Sequence, residues 1–308
     1  MAIPSGELKA VLGSGLLAFP VTHFDADGRF DETPYRASIG RNIDGGAAAL
    51  FAPGGTGEFF SLTLGEFQAV VRAVVEEAAG RVPVIAAAGY GTRLAIEFAS
   101  AAEAAGADGL LLFPPYLVGA KQEGLALHVE AVCRAVSIGV VLYNRDNAVY
   151  AAATLARVTE DCPNLIGFKD GHGDVEQLVA VRQALGDRLV YVGGMPTAEV
   201  FAVPYLAAGF TTYSSAVFNF IPKTALRFYR AVRQGDTATT DELLQKLYLP
   251  YIALRNRGRG YAVSIVKAGM RIVGLSAGPV RPPLTDLTPA EMQELEAILV
   301  GALGARLE

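Results

Sequence analysis

The feature of this sequence that most restricts its fold is a series of eight short apolar runs between residues 16 and 214. Each run is continuously apolar rather than alternating, which is typical of parallel strands that are covered on both faces. The runs are Leu16–Pro20, Ala47–Ala52, Pro83–Ala88, Gly109–Phe113, Gly139–Tyr143, Leu165–Lys169, Leu189–Val192 and Phe210–Ser214. The chain is therefore expected to build a parallel β-sheet.

Helix-like segments lie between these runs. Leu64–Gly80 carries Phe67, Val70 and Val74 at helical spacing, and Arg93–Ala105 is a second such segment. Eight strand–helix units predict an α/β fold of the (β/α)8 TIM barrel type. An open, doubly wound sheet is the alternative, but the even spacing and the lack of a dinucleotide fingerprint favour the barrel.

The end of the chain predicts helices without further strands. The barrel is expected to occupy residues 1–235, and residues 236–308 to form a C-terminal three-helix appendage that packs on it. The three predicted helices are Thr237–Arg257, Ala262–Val273 and Pro289–Leu307. We expect this extension to pack on the barrel rather than to fold as a separate domain.

Composition excludes several classes of function. The chain of 308 residues is 52% hydrophobic and 19% charged, so it can bury a large core. A net charge of −5 argues against a nucleic-acid partner, which needs a basic face. No run reaches the ~18 apolar residues of a membrane span, so no membrane partner is expected.

Localisation is predicted from the cysteines and the amino terminus. Cys133 and Cys162 are too few for a disulfide framework, which indicates a reducing, cytoplasmic location. The first residues lack a basic leader and a long apolar run, and so make a poor signal peptide. The histidines at 23, 128 and 172 are scattered without metal-ligand spacing, so we predict no metal site and no cofactor.

A lysine ends the sixth strand-like run, in the segment NLIGFKDGHGD. Active sites of barrels lie at the carboxyl ends of the strands, which is where Lys169 is expected. Burial among apolar neighbours would lower the pKa of the amine, and a neutral amine can attack a ketone to form a Schiff base. A structural lysine that extends to solvent or pairs with Asp170 is the alternative interpretation.

Tyr143 ends the preceding strand, so it should stand beside Lys169 in the ring of strands. Beside a Schiff-base lysine, a phenol can carry protons to and from the substrate. A packed aromatic side chain with a satisfied hydroxyl is the alternative.

A glycine-rich turn, APGGTGEFF, follows the second strand. Gly55, Thr56 and Gly57 could hold a carboxylate through backbone N–H groups and one hydroxyl. The turn has neither the Walker A pattern nor the dinucleotide pattern, and an ordinary strand-to-helix connection is the alternative.

A few further polar side chains follow predicted strands and could bind a second polar group of a ligand. These candidates are Arg145, Ser214 and Ser215, with Tyr116 in FPPYL as a possible part of the mouth.

Three motifs together resemble one superfamily. Gly-Gly-Thr-Gly-Glu after the second strand, Tyr-Asn after the fifth and Gly-Phe-Lys-Asp on the sixth are similar to those of the dihydrodipicolinate synthase and N-acetylneuraminate lyase superfamily. The resemblance covers essentially the whole chain, including the C-terminal helices. It implies class I chemistry on 2-keto acids in homotetramers. It makes Lys169 the Schiff-base lysine, Tyr143 the proton shuttle, and Gly55 and Thr56 the binder of the keto-acid carboxylate.

Departures from the synthase pattern indicate a particular branch. Leu117 stands where the synthases usually have a second tyrosine, Ala148 where they usually have an arginine, and Gly55-Thr56 where they usually have two threonines. The segments YNRDNA, GFKDGHGD and TYSSAVFNF resemble the 5-dehydro-4-deoxyglucarate dehydratase branch. That resemblance implies a decarboxylating lyase that converts a small sugar acid to 2,5-dioxopentanoate, carbon dioxide and water.

Two other functions remain open at the level of the sequence. A related class I aldolase or synthase would release or use pyruvate. A regulatory protein could bind a keto acid in the same pocket without turnover, although binding alone requires neither Lys169 nor Tyr143.

Overall fold

The computed structural model describes residues 3–115, 119–304 and 307, and within them the chain forms a closed barrel of eight parallel strands in sequential order. The strands are β1 (Leu17–Ala18), β2 (Ala49–Phe51), β3 (Val84–Ala88), β4 (Gly109–Leu112), β5 (Gly139–Asn144), β6 (Leu165–Asp170), β7 (Val190–Gly193) and β8 (Thr212–Ser215). The barrel closes where Leu17 of β1 pairs with Ser214 of β8. The predicted TIM barrel is therefore confirmed, and the open sheet is wrong.

Helices surround the barrel and follow it. They are α1 (Ser5–Leu12), α2 (Glu32–Asp44), α3 (Leu64–Ala78), α4 (Thr92–Ala104), α5 (Gln122–Ala135), α6 (Ala152–Asp161), α7 (Val175–Leu185), α8 (Ala202–Ala207), α9 (Pro222–Gln234), α10 (Thr237–Leu243), α11 (Leu249–Arg255), α12 (Tyr261–Ile272) and α13 (Pro289–Leu303). Among the described residues, no helix combines the length and the apolar character needed to cross a bilayer.

The sequence determines both ends of α3. The Thr63 hydroxyl accepts a hydrogen bond from the Glu66 N–H, and the Glu66 carboxylate accepts one from the Thr63 N–H, which completes a capping box. The helix then buries the apolar stripe that the sequence predicted, including Phe67, Val70 and Val74. It ends at Ala78, and the next residue, Ala79, has a left-handed conformation.

A helix that was not predicted closes the amino-terminal end of the barrel. Leu8 and Leu12 of α1 are fully buried, and α1 contacts β5, β6 and β7. A methyl group added at Gly109 or Gly139, where β4 and β5 begin, would lie 3.0 or 3.1 Å from the Leu8 side chain. The floor of the barrel is therefore sealed by side chains of α1.

The C-terminal extension contains the three predicted helical regions. The first is α10 and α11 joined through a π-helical turn, Leu244–Tyr248, and the other two are α12 and α13. Tyr248, Leu254 and Leu295 of this extension are fully buried and belong to the same apolar cluster as the barrel. These side chains of the extension thus pack against the barrel.

Candidate active site

A cavity of about 660 Å³ opens at the carboxyl ends of the strands. Its deep walls are apolar and include Phe19, Leu111 and Phe113. Lys169 and Tyr143 are among the polar residues that line the cavity. A mostly apolar cavity with a few convergent polar groups is typical of small-molecule sites.

The predicted lysine lies inside this cavity. Lys169 is only 3% exposed, and its Nζ atom lies 3.6 Å from the centroid of the Tyr143 ring. The same nitrogen is 5.1 Å from the centroid of the Phe19 ring, and it donates a long, 3.5 Å hydrogen bond to the carbonyl oxygen of Gly194. The amine is thus surrounded by aromatic faces and one carbonyl group.

Asp170 does not pair with the lysine that precedes it. Successive residues of a strand point to opposite faces, and the Asp170 carboxylate accepts hydrogen bonds from Asn144 Nδ2 at 2.7 Å and from the Tyr205 hydroxyl at 2.5 Å. The Gly173 N–H donates a further hydrogen bond to it at 2.9 Å. The interpretation of Lys169 as a simple ion-pair partner of Asp170 is therefore wrong.

Burial lowers the pKa of the Lys169 ammonium, because desolvation disfavours its charged form, and the Tyr143 phenol opposes this shift only in part. The fraction of neutral amine at a given pH is therefore larger than for a lysine in water. A neutral amine is the form that adds to a ketone.

Tyr143 pairs with Lys169 in the register of β5 and β6, so the two side chains emerge side by side. The Tyr143 hydroxyl donates to the Gly194 carbonyl oxygen at 2.7 Å and accepts a hydrogen bond from Arg145 Nη1 at 3.0 Å. Burial alone would raise the pKa of this phenol, but the charges of Lys169 and Arg145 outweigh burial and lower it.

Two glycines make room for this pair. A methyl group at Gly194 would lie 2.7 Å from Cγ and 2.8 Å from Nζ of Lys169, and 2.7 Å from the Asp170 carbonyl oxygen. A methyl group at Gly171 would lie 2.8 to 3.1 Å from ring and hydroxyl atoms of Tyr143. Contacts below 3.0 Å require neighbouring atoms to move, so the positions of Lys169 and Tyr143 depend on these glycines.

The glycine-rich turn after β2 contributes part of what was predicted. Gly55 and Thr56 line the cavity, whereas Gly57 does not. The Gly57 carbonyl oxygen instead accepts a hydrogen bond from the buried Thr22 hydroxyl at 2.6 Å. A methyl group at Gly57 would lie 3.1 Å from Pro53 Cα, so this glycine allows close packing of the turn. Its predicted contact with a ligand is corrected to this packing role.

The turn is fixed from outside the barrel. Glu58, which follows it, has a left-handed backbone with φ of 56°. Its carboxylate lies 2.6 Å from Lys267 Nζ of α12 and accepts a hydrogen bond from the Arg281 N–H at 2.9 Å. The position of Gly55 and Thr56 therefore depends on residues of the C-terminal extension.

The remaining candidates fall in different places. Arg145 and Ser214 line the cavity. Ser215 is fully buried outside the cavity wall, and its hydroxyl donates to the Glu199 carboxylate at 2.7 Å. The prediction that Ser215 contacts a ligand is corrected, because alternation along β8 turns the two serines to opposite faces. Tyr116 lies outside the residues that the structure describes.

Glu199, the partner of Ser215, is a buried carboxyl that the sequence did not indicate. It is 1% exposed, and burial raises its pKa to about 7, although the Ser215 hydroxyl opposes this shift. The buried rings of Tyr213 and Tyr251 are close enough for the carboxylate charge to act on their hydroxyl groups. Tyr251 also lines the cavity, so Glu199 lies just behind the wall.

Sequence reasoning missed a second arginine of the cavity. Arg255, at the end of α11, lines the cavity together with Pro196 and Thr197 of the loop after β7. Its Nη1 atom donates to the Pro196 carbonyl oxygen at 2.8 Å and to the Thr197 hydroxyl at 2.6 Å. The local sequence RNRGRG offers three arginines and no pattern that distinguishes this one.

The described residues contain no cluster of three or more histidine, cysteine, aspartate or glutamate side chains that could hold a metal ion. The cationic groups of the cavity, Arg145 and Arg255 together with Lys169, suit a ligand with negative charge.

The family match and the similar sequences agree with each other. Residues 13–302 match the Dihydrodipicolinate synthetase family. A Methylobacterium radiotolerans protein named "Probable 5-dehydro-4-deoxyglucarate dehydratase" is 63% identical over 293 residues, which cover 95% of this chain and 96% of that protein. A Rhizobium rhizogenes protein of the same name is 60% identical over 299 residues, which cover 97% of this chain and 99% of that protein.

Solved structures agree with the fold. The dihydrodipicolinate synthase of Bacillus clausii has a TM-score of 0.87 and 27% sequence identity, and the match covers 95% of this chain and 98% of that one. Family match, sequence identity and fold thus coincide over nearly the whole chain, including the strands that carry Tyr143 and Lys169. This chain belongs to the dihydrodipicolinate synthetase family.

Proposed function

We propose that this protein is a decarboxylating lyase that converts 5-dehydro-4-deoxy-D-glucarate to 2,5-dioxopentanoate, carbon dioxide and water. The observation that carries the proposal is Lys169, a buried amine with a lowered pKa in contact with the Tyr143 ring. The identity of 60% and more to proteins named as dehydratases for this substrate supports its choice.

The first step forms the imine. The neutral Lys169 amine adds to the C5 ketone, and loss of water gives an iminium that draws electrons from C4. The C6 carboxylate, next to the ketone, would lie at the Gly55–Thr56 turn, where N–H groups and the Thr56 hydroxyl can receive it. Tyr143, held between Arg145 and the Gly194 carbonyl group, is positioned to move protons at this centre.

The second step is elimination. Removal of a C4 proton gives an enamine. The C3 hydroxyl group receives a proton, and the enamine expels it as water. We assign the removal of the C4 proton to Tyr143, acting directly or through a water molecule, because the charges of Lys169 and Arg145 favour its phenolate form. The result is an iminium conjugated with the C3–C4 double bond.

The same iminium then drives decarboxylation. The electrons of the C1–C2 bond pass through the conjugated chain to the nitrogen, C1 leaves as carbon dioxide, and C2 becomes an enol carbon. Protonation at C4, conversion of the enol to an aldehyde, and hydrolysis of the imine release the five-carbon product. The dianionic substrate and one proton thus yield the product monoanion, one carbon dioxide and one water.

Substrate labelled with carbon-13 at C1 tests this sequence of steps. All the label is expected in carbon dioxide, with one carbon dioxide per substrate consumed and a five-carbon semialdehyde as the product. Label retained in that product would contradict the decarboxylation of C1. Pyruvate as the main product would instead indicate an aldolase, and binding without turnover would indicate a regulatory protein.

We also propose that the enzyme acts as a cytoplasmic homotetramer. The family resemblance supports the tetramer, and the two buried free thiols, Cys133 and Cys162, support a reducing compartment. Sedimentation equilibrium is expected to give four times the chain mass of 32.3 kDa, and a monomer would contradict the proposal.

A further inference from the structure

We propose that Arg255 binds the carboxylate at the end of the substrate farthest from Lys169, and that it thereby selects dicarboxylates over monocarboxylates. The inference rests on the proposed function, since it assumes a keto acid held on Lys169. It assigns to the C-terminal extension a direct part in substrate recognition.

The first argument is the charge of Arg255. Its hydrogen-bond acceptors are neutral: the Pro196 carbonyl oxygen, the Thr197 hydroxyl, and the Asn256 amide oxygen at 2.8 and 3.2 Å. Among the described residues, this partly buried side chain forms no direct ion pair, and the carboxylate that acts on it is the buried Glu199 behind the cavity wall. Burial lowers the pKa of this guanidinium, and the charges of Tyr251 and Glu199 oppose that shift only in part.

A ligand carboxylate would supply a negative charge next to the Arg255 guanidinium. The contacts to Pro196, Thr197 and Asn256 fix the plane of the guanidinium before a ligand arrives, and they leave one N–H of Nη2 without an acceptor among the described residues. Hydrogen bonds between charged groups are stronger than those between neutral ones. An oriented guanidinium with a remaining donor is therefore suited to an anionic ligand.

The second argument is reach. The Gly194 carbonyl oxygen accepts from Lys169 Nζ, and the Pro196 carbonyl oxygen accepts from Arg255. Two residues of chain span at most ~7 Å. In the substrate, four carbon–carbon bonds of about 1.5 Å each separate C5, on Lys169, from C1. The short loop thus limits the separation of Lys169 and Arg255 to the order of the length of a six-carbon dicarboxylate.

Arg145, the arginine that the sequence suggested for this role, has other partners. Its Nε atom lies 3.1 Å from the Asp146 carboxylate, and its Nη1 atom donates to the Tyr143 hydroxyl at 3.0 Å. Its charge is therefore compensated by a carboxylate and acts on the phenol. We assign Arg145 to the positioning of Tyr143, and Arg255 to the distal carboxylate.

The experiment uses two ligands that differ only at the distal end, 2-oxohexanedioate and 2-oxohexanoate. Both present the same keto-acid head to Lys169, and neither has the hydroxyl groups needed for turnover. Borohydride trapping as a function of ligand concentration gives an apparent affinity for each. Wild-type protein is expected to prefer the dicarboxylate by roughly 10- to 100-fold, as for a hydrogen bond between charged groups.

The variant Arg255→Gln is expected to lose this preference while still trapping 2-oxohexanoate at nearly the wild-type concentration. Arg145→Gln should keep the preference. Arg257→Gln is the matched control near the same helix end, because Arg257 pairs on the surface with Glu294 and lies outside the cavity wall.

Three outcomes would overturn the inference. They are a preference retained by Arg255→Gln, a preference lost in Arg145→Gln instead, and an equal loss of affinity for both ligands in Arg255→Gln. The last would mean that Arg255 only supports the loop. If wild-type protein trapped neither ligand, the imine chemistry itself would fail, and the inference would fail with it.

A measurement on wild-type protein avoids any dependence on the folding of a variant. Peptide-resolved labelling with phenylglyoxal, an arginine reagent, should be slowed at Arg255 by 2-oxohexanedioate and not by 2-oxohexanoate. Equal protection by both ligands, or protection by neither, would contradict the proposed contact.

Discussion

Lys267 Nζ lies 2.6 Å from the carboxylate of Glu58, and neither side chain has any exposed surface. Glu58 follows the turn that carries Gly55 and Thr56, whereas Lys267 belongs to α12 of the C-terminal extension. Lys267 also donates to the Pro279 carbonyl oxygen at 2.7 Å. This ion pair connects the extension to the turn that we propose as the carboxylate site.

Removal of one partner of this pair should destabilise the protein. Lys267→Met leaves the Glu58 charge buried without its cation, and such changes typically cost about 3–5 kcal/mol. The double variant Glu58→Gln/Lys267→Met should recover much of that loss, since no uncompensated charge remains. Urea unfolding measures both values. A double variant no more stable than the single one would contradict this account.

The control for that experiment is an exposed pair. Lys246 and Glu242 are 3.1 Å apart on the surface, so Lys246→Met should change the free energy of unfolding by less than ~1 kcal/mol. The variants also report on the turn. If Glu58 positions Gly55 and Thr56, KM should rise in Glu58→Gln while Lys246→Met keeps the wild-type value.

Gly194→Ala should impair imine formation. The added methyl group would collide with the Asp170 carbonyl oxygen and with the Lys169 side chain, at 2.7 Å each, so the amine must move. A displacement of about 1 Å in an active site can cost roughly 10²-fold in rate. Borohydride trapping with pyruvate measures the effect. Gly91→Ala is the matched control, because a methyl group there meets no atom within 4 Å, and it should trap pyruvate like the wild type.

Tyr143→Phe should slow removal of the C4 proton more than it slows imine formation. The ring keeps its contact with Phe113, whose centroid is 5.5 Å away, so the fold is expected to persist. General acid–base groups typically contribute about 10²–10⁴-fold in rate. Exchange of the C4 protons with deuterated water should decrease on that scale. Exchange at the wild-type rate would restrict Tyr143 to a packing role.

Glu199→Gln should change how stability depends on pH. The pKa of Glu199 is about 7 in the folded protein, against about 4.3 in an unfolded chain. The folded state thus binds more protons between these values, and this carboxyl lowers stability as pH rises through that window. The cost at pH above 7 is on the order of 3–4 kcal/mol, at 1.36 kcal/mol per unit of pKa.

Glutamine does not ionise, and its amide oxygen can still accept from Ser215. The variant should therefore gain stability relative to the wild type between pH 4.5 and 7.5, as measured by urea unfolding at each pH. A constant difference across that range would show that Glu199 does not titrate as its burial requires.

The barrel and its central residues could be predicted from the sequence for a physical reason. Parallel strands buried on both faces leave continuous apolar runs, and a lysine or tyrosine at the end of such a run stands out. Lys169 and Tyr143 were found in this way, and the structure places them side by side. Their catalytic roles stay predictions until the trapping and exchange experiments are done.

The contacts that the sequence did not predict join residues that are far apart in the chain and meet only in the folded protein. Arg255 is separated from Pro196 by 59 positions, and Lys267 is far from Glu58, so no local pattern connects them. Ser215 should not have been predicted together with Ser214, since the alternation of a strand lets only one of two adjacent residues face the cavity. The α1 helix was missed because its eight residues are too few for a clear apolar period.

The closure of the barrel floor by α1 determines the route by which molecules enter and leave the site. Leu8 and Leu12 are buried at the amino-terminal end. Among the described residues, the cavity opens at the strand carboxyl ends, and substrate, carbon dioxide and water share that opening. In the proposed sequence of steps, the C3 hydroxyl group leaves first as water, and carbon dioxide from C1 follows while the five-carbon chain is still bonded to Lys169. The five-carbon product, still bonded to Lys169 at the bottom, leaves only after a water molecule has travelled inward to hydrolyse the imine. The water molecule that hydrolyses the imine therefore has to enter through the same opening by which the product later leaves.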